Sequence, residues 1–279
     1  MKRLPLTDAH ATHRLMNQWT VDPRAEPFRQ KGERGAVLIL HGLTGSPYSV
    51  RPLAESLAAE GYDVSVPLLI GHGTSPEALQ HARWNDWMMS ARHAFEELAA
   101  DHEQVIIGGL SLGALLTLVL AQERGGQVAG IFPMATPLTL DFVSQTVLSI
   151  ARKVPLASVM PFAKKKRGPD VSDPAVAAAM PSYDCTPIAA AASLLDGQDI
   201  ARERAPRLSV PTLILHGRQD HVAPARNASE LYSLLRTPNR RQIIYPRSWH
   251  ILPLDVEHDQ VRRDVLGFVG DPIGFVNGG

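Results

Sequence analysis

The chain alternates between short apolar runs and longer segments in which apolar residues recur at helical spacing. The run GAVLIL at 35–40 is followed by apolar positions of helical period up to Glu60, where Gly61 ends the helix. The predicted strands span 35–40, 62–66, 104–108, 127–134, 212–215 and 242–245, and the predicted helices span 50–60, 84–100, 114–124, 225–235 and 256–269. This alternation predicts an α/β fold with a mainly parallel sheet and helices on both faces.

The alternation is interrupted over residues 135–206. This stretch is punctuated by prolines and by short alanine-rich or leucine-bearing pieces such as PIAAAASLL, which favour short helices. We therefore predict a core at 35–134 and 207–270 with a small helical cap inserted at 135–206, and we expect the cap to move relative to the sheet. The remaining segments are an N-terminal extension at 1–34 and a flexible tail at 271–279.

Composition narrows the function by exclusion. Lysine plus arginine and aspartate plus glutamate number 28 each, so no net field is available to attract nucleic acid or an anionic membrane. The single cysteine, Cys185, excludes an internal disulfide, and no apolar run has the length of a membrane span or a secretory signal. We expect a cytoplasmic protein without stable membrane insertion. The basic run at 164–167 is interpreted as a solvated loop, with an anionic-lipid contact as the alternative.

A possible nucleophile stands between a predicted strand and a predicted helix. The residues from Gly109 to Gly113 spell G-x-S-x-G, with Ser111 at the centre. A turn this sharp leaves little space for side chains two residues before and two residues after the serine, and glycine meets that need at both positions. The pattern predicts that Ser111 is lifted clear of the sheet, where its hydroxyl can attack a substrate.

A serine hydroxyl needs a base within hydrogen-bonding reach, and that base must be oriented by a carboxylate. Asp220 and His250 each follow one of the last two predicted strands, so both side chains are expected at the carboxyl edge of the sheet. The order serine, aspartate, histidine is the one that accompanies this elbow. His216 and His221 precede the last strand, and Asp255, the rival acid, follows the histidine.

The tetrahedral intermediate of acyl transfer also needs two preorganised donors for its oxyanion. One predicted donor is the backbone amide of Leu112, the residue after the nucleophile. The other is the amide of Leu43 in the turn HGLTGS, where Gly42 lets the chain bend tightly. His41 is interpreted as a structural residue that holds this loop through side-chain hydrogen bonds.

Five segments together resemble a known group. HGLTGSP, LIGHGTSPEAL, GGLSLGA, HGRQDHVAP and SWHILPLDVEHDQV are similar to the bacterial carboxylesterase and monoacylglycerol lipase branch of the α/β-hydrolases. The resemblance covers most of residues 35–269 and is weakest in the predicted cap. It implies an α/β-hydrolase fold, an apolar acyl pocket and ester hydrolysis without a cofactor. It also implies a triad of Ser111, Asp220 and His250, with Leu43 and Leu112 at the oxyanion hole.

Several functions remain open at this point. The motif does not exclude a thioesterase or an acyltransferase, and a noncatalytic ligand-binding relative is the alternative from another class. No metal site is expected, because His216 and His221 lack a zincin-type setting. The expected substrate is a small uncharged ester with a short to medium acyl chain, followed by monoacylglycerols. Triacylglycerols should be poor substrates, because no exposed apolar docking surface is evident in the sequence.

Overall fold

A seven-stranded sheet forms the centre of the protein, which a computed structural model describes over residues 20–154, 159–164 and 168–278. Its strands are β1 (Phe28–Gln30), β2 (Ala36–Leu40), β3 (Asp63–Val66), β4 (Val105–Leu110), β5 (Val128–Met134), β8 (Thr212–Gly217) and β9 (Arg240–Tyr245). Two further strands, β6 (Phe162–Lys164) and β7 (Cys185–Pro187), pair with each other outside this sheet. The strand order in the main sheet is β1-β3-β2-β4-β5-β8-β9, and only β1 runs antiparallel to its neighbour. The predicted mainly parallel sheet is confirmed.

Helices cover both faces of this sheet. They are α1 (Arg51–Ala59), α2 (Pro76–Leu79), α3 (Trp84–Ala99), α4 (Leu112–Arg124), α5 (Phe142–Lys153), α6 (Pro174–Ala179), α7 (Ile188–Arg204), α8 (Arg226–Leu234), α9 (His258–Gly270) and α10 (Pro272–Asn277). Alternate residues of β2 point in opposite directions, so Leu38 and Leu40 join one buried cluster and Val37 and Ile39 join another. The first cluster includes α3, α4, α7 and α8, and the second includes α1 and α9. Burial on both sides explains why the strand is apolar throughout.

The edge strand β1 was not predicted. It is three residues long and partly exposed, and it adds to β3 with Phe28 opposite Val66. A short, polar edge strand lacks the apolar alternation that identifies longer strands. The predicted N-terminal extension therefore contributes a strand to the sheet, while its residues 1–19 lie outside the described part of the chain.

The last helix of the predicted cap, α7, packs as part of the core. A Cβ on Gly197 would overlap the ring of Trp84, and the Trp84 amide donates a hydrogen bond of 2.8 Å to Ser193 Oγ. The side-chain amide of Gln198 donates to the carbonyl of Pro137 at 2.8 Å. The interval 135–206 is therefore not one unit above the sheet, because α7 fills the layer beside α4.

The rest of that interval is more exposed. No residue of α5 is buried, and β6 and β7 pair as a separate antiparallel sheet of two strands. Phe142, Val143 and Ile150 of α5 expose 84%, 67% and 51% of their surface, which makes an apolar face that the sequence analysis did not foresee. Lys164 ends β6 in an exposed position, and the other residues of the basic run, 165–167, lie outside the described residues.

The C-terminal segment, expected to be a flexible tail, forms the helix α10. Asp271 caps this helix by accepting a hydrogen bond of 2.9 Å from the Gly274 amide, and Pro272 occupies the first turn. Val276 is buried, and the rings of Phe275 and Phe268 meet edge to face at 6.4 Å. The expectation was wrong because an aspartate cap followed by proline is a helix-start signal that outweighs the flanking glycines.

Candidate active site

Ser111 stands at the turn that joins β4 to α4. Its backbone has φ 57° and ψ −116°, a strained conformation for a residue with a side chain. A Cβ on Gly109 would overlap the carbonyl of Gly113, and a Cβ on Gly113 would overlap the carbonyl of Leu40. The Ser111 amide donates to the carbonyl of Met134 at 2.9 Å, which ties the turn to β5. Both glycines are required by close backbone approach, as the motif predicts.

Asp220 and His250 meet at the carboxyl edge of the sheet, beyond β8 and β9. His250 Nδ1 donates a hydrogen bond of 2.7 Å to Asp220 Oδ2. The aspartate side chain is fully buried and the histidine is 7% exposed. In the described part of the chain, no hydrogen bond joins Ser111 Oγ to His250. Contacts between nucleophile and base are often long in substrate-free hydrolases and shorten when substrate binds.

Asp220 is surrounded by donors. The amides of Val222 and Ala223 donate to Oδ1 at 2.8 and 2.7 Å, and His216 Nε2 lies 3.2 Å from Oδ2. Burial alone would raise the pKa of Asp220, but the charge of His250 and hydrogen bonds from both histidines outweigh it and hold this pKa well below its usual value. The carboxylate is therefore ionised throughout the neutral range.

The pKa of His250 is shifted in the opposite direction. Burial lowers the pKa of the imidazole, but the charge of Asp220, its hydrogen bond and the charge of Asp170 together raise this pKa above the ordinary value. Because Nδ1 donates to Asp220, the nitrogen Nε2 is the atom available to accept a proton. The pair can thus serve as a general base whose protonated form is stabilised.

One predicted oxyanion donor, Leu112, directly follows Ser111 in the chain, and the other, Leu43, follows a glycine that lies close to Ser111. Leu112 is the first residue of α4, and Gly42 is so close to the serine that a Cβ there would be 3.2 Å from Ser111 Cβ. Neither the Leu43 amide nor the Leu112 amide donates a hydrogen bond to another described residue. Leu112 also stands at a helix N-terminus, where the backbone dipoles favour negative charge.

His41 holds the loop that carries Leu43. Its Nδ1 donates to the carbonyl of Gly42 at 3.0 Å, and its Nε2 accepts a hydrogen bond of 3.1 Å from the Leu69 amide. Complete burial lowers the pKa of His41 to about 4. The ring is therefore neutral near pH 7, as it must be for Nε2 to accept the hydrogen bond from Leu69. The buried ring of His72 packs edge to face against it at 4.9 Å. These contacts are the structural role expected from the sequence.

Asp255, the rival acid, does not contact His250. Its Oδ2 accepts a hydrogen bond of 2.6 Å from the Trp249 amide, and its Oδ1 accepts from the amide and hydroxyl of Ser172. A second buried carboxylate, Glu257, accepts from the amide and hydroxyl of Ser248 at 2.9 and 2.7 Å. Both acids therefore support the loop that presents the histidine. Sequence reasoning missed this role, because local spacing gives no sign of it.

The sheet order, the elbow after β4 and the acid and base after β8 and β9 define an α/β-hydrolase. Residues 31–257 match the family described as serine aminopeptidase, S33, and the chain belongs to this family of serine hydrolases. The fold and the family that the five sequence segments indicated are thereby confirmed.

Named relatives cover nearly the whole chain. A thermostable monoacylglycerol lipase of Bacillus sp. (strain H-257) is 30% identical over 254 residues, which is 91% of this chain and 98% of the relative. A carboxylesterase of Bacillus subtilis (strain 168) is 32% identical over 248 residues, or 88% and 96% of the two chains. A solved structure from work on the metagenome-derived lipolytic enzymes LipS and LipT has a TM-score of 0.82 and 30% identity, covering 90% of this chain and 99% of the other.

Proposed function

We propose that the protein is a serine carboxylesterase that hydrolyses small uncharged esters through an acyl-enzyme intermediate. The observation that carries this proposal is the buried Asp220–His250 pair, joined at 2.7 Å, at the sheet edge that also carries the strained elbow of Ser111. The names of the two Bacillus relatives point to the same bond type. The family description names an aminopeptidase, so amide substrates belong in the test.

In the proposed mechanism Ser111 Oγ attacks the ester carbonyl while His250 Nε2 accepts the hydroxyl proton. The amides of Leu43 and Leu112 donate to the resulting oxyanion, a type of contact whose loss costs about 10²-fold or more in rate. Collapse of the intermediate expels the alcohol, which takes the proton from His250 and leaves an acyl group on the serine. Water, deprotonated by His250, then releases the acid. Asp220 stabilises the imidazolium at both stages, and no cofactor takes part.

Monoacylglycerol hydrolysis is the second candidate, and α5 favours it. The exposed apolar face of that helix includes Phe142, Val143 and Ile150, and exposed apolar patches commonly mark contact with apolar ligands or surfaces. The expectation of no such surface was wrong, although short to medium acyl esters remain the preferred class in our proposal. Each acyl methylene that the enzyme buries is worth about 0.8 kcal/mol at most, so activity should rise with chain length until the pocket is full.

We place the moving part of the cap at α5, because no residue of α5 is buried whereas ten residues of α7 are. We further propose a cytoplasmic location, supported by the single cysteine. None of the helices in the described residues combines the length and apolar character that crossing a bilayer requires.

A hydrolysis panel tests the proposal. It should compare nitrophenyl esters of increasing chain length, monoacylglycerols, emulsified triolein, acyl thioesters and aminoacyl nitroanilides, using wild type and Ser111→Ala. Ser233→Ala is the matched control, because this hydroxyl lies exposed on α8 and contacts only its own helix. We expect ester hydrolysis that disappears in Ser111→Ala and persists in Ser233→Ala. A preference for nitroanilides or for the triolein emulsion would contradict the proposed substrate class.

A further inference from the structure

One residue of the interval between β6 and β7 contacts both loops that carry the acid and the base. The carboxylate of Asp170 accepts two hydrogen bonds from His221, from the amide at 3.0 Å and from Nδ1 at 2.9 Å. The backbone carbonyl of Asp170 accepts two more, from the amides of His250 and Ile251, both at 3.2 Å. His221 directly follows Asp220 in the chain, so Asp170 bridges the neighbours of both catalytic candidates.

The segment around Asp170 is itself held in place. Val171 is 3% exposed and belongs to the buried cluster that includes α1 and α9. Ser172 donates from its amide and hydroxyl to Asp255, which in turn accepts from the Trp249 amide. Through Asp255, the segment is thus linked to the histidine loop a second time, one residue before His250. Because the segment that carries Asp170 is itself fixed, Asp170 can hold the two loops in a defined position, which a residue on a free loop could not do.

We propose that Asp170 is a positioning residue that fixes the acid loop and the base loop relative to each other and ties the cap segment to catalysis. The proposal rests on the function proposed above for Asp220 and His250. It predicts a loss in kcat with little change in KM, because a small displacement of reacting groups slows chemistry more than substrate binding.

Electrostatics gives a second readout. The charged groups that act on the His250 ring are Asp220 and Asp170. Two other titratable rings lie nearby, since His216 contacts Asp220 and His221 contacts Asp170. The negative charge of Asp170 helps raise the pKa of His250. Removing that charge should therefore shift the acidic limb of kcat/KM towards lower pH, an effect that a purely structural role would not produce.

The experiment uses the full-length enzyme with Asp170→Ala, Asp170→Asn and Asp173→Ala. Asp173 is the matched control, because its carboxylate lies in the same segment but accepts from the amide of Ala175 and caps α6. We expect kcat to fall about tenfold or more in Asp170→Ala, with KM within about twofold and Asp173→Ala close to wild type. Asp170→Asn keeps the side-chain shape, so it carries the test if the alanine variant does not fold.

A double-mutant cycle with His221→Ala completes the design. The two losses should be strongly non-additive, because both variants break the same contact. Equal loss in Asp173→Ala, an unmoved pH profile in both Asp170 variants, or kcat within about twofold of wild type would overturn the proposal. Fluorophosphonate labelling of wild-type Ser111 distinguishes failure of the proposed function from failure of the proposed role of Asp170. Absent labelling refutes the proposed function. Normal labelling together with unimpaired Asp170 variants refutes only the role of Asp170.

Discussion

His216 Nε2 lies 3.2 Å from the same oxygen of Asp220 that accepts the hydrogen bond from His250. It also lies 2.9 Å from the carbonyl of Ala223, so Nε2 carries a proton and donates to both. His216→Ala should lower kcat about tenfold, since a hydrogen bond to a buried carboxylate is worth about 1.5–3 kcal/mol. His93→Ala, at an exposed histidine of α3, is the control. A folded His216→Ala enzyme with wild-type kcat would show that His250 and the amides of Val222 and Ala223 hold Asp220 in place without His216.

The titration of His250 should affect activity and stability in opposite directions. The pKa of His250 is raised, and the base must be neutral, so kcat/KM should rise through a pH above the ordinary histidine value of about 6.5. The contribution of His250 to stability is complete below about 6.5 and is lost as pH rises through its raised pKa. The lowered pKa of Asp220 gives a contribution that is present above about 3.9 and lost as pH falls.

This linkage can be measured as the difference in free energy of unfolding between wild type and Asp220→Asn. The difference should be largest between about pH 4 and pH 6.5 and should shrink on both sides. The acidic limb of kcat/KM should move to lower pH in the variant, because the main charge that raises the pKa of His250 is gone. An unmoved limb would mean that another group controls the pH profile.

The elbow glycines should not tolerate a methyl group. A Cβ on Gly113 would overlap the carbonyl of Leu40, so Gly113→Ala should destabilise the protein by about 2 kcal/mol or more, or displace Ser111 and abolish activity. Gly126→Ala is the matched control, because a Cβ there meets nothing within 4 Å, and its effect should stay within about 0.5 kcal/mol. Urea unfolding and ester hydrolysis decide the matter, and equal effects of the two substitutions would contradict the account.

Amide hydrogen exchange should divide the interval 135–206 into two parts. We expect protection in α7 close to that of β4, because α7 packs Gly197 against Trp84 in the core layer. We expect much faster exchange in α5, none of whose residues is buried. Similar protection in α5 and β4 would rule out a mobile cap, and rapid exchange in α7 would show that the cap extends to residue 206.

The fold, and the places of the candidate residues Ser111, Asp220 and His250 in it, could be predicted from a short motif and from the strand pattern. The glycines around Ser111 are dictated by a turn of five residues, and Asp220 and His250 follow from the fact that parallel strands end at one edge. Asp170 and Glu257 could not be identified in this way. Their partners are chosen by tertiary packing, and an aspartate 51 residues away from His221 has no periodic or motif signature.

The most direct test of the account is to trap the acyl-enzyme. Rapid quenching during turnover of a nitrophenyl ester, followed by mass spectrometry of the intact and digested protein, locates any acyl group. We predict a stoichiometric burst of nitrophenol and an acyl group on Ser111, with neither detectable in Ser111→Ala. Turnover without a burst or an adduct, or an adduct on another residue, would contradict the assignment of Ser111 as the nucleophile.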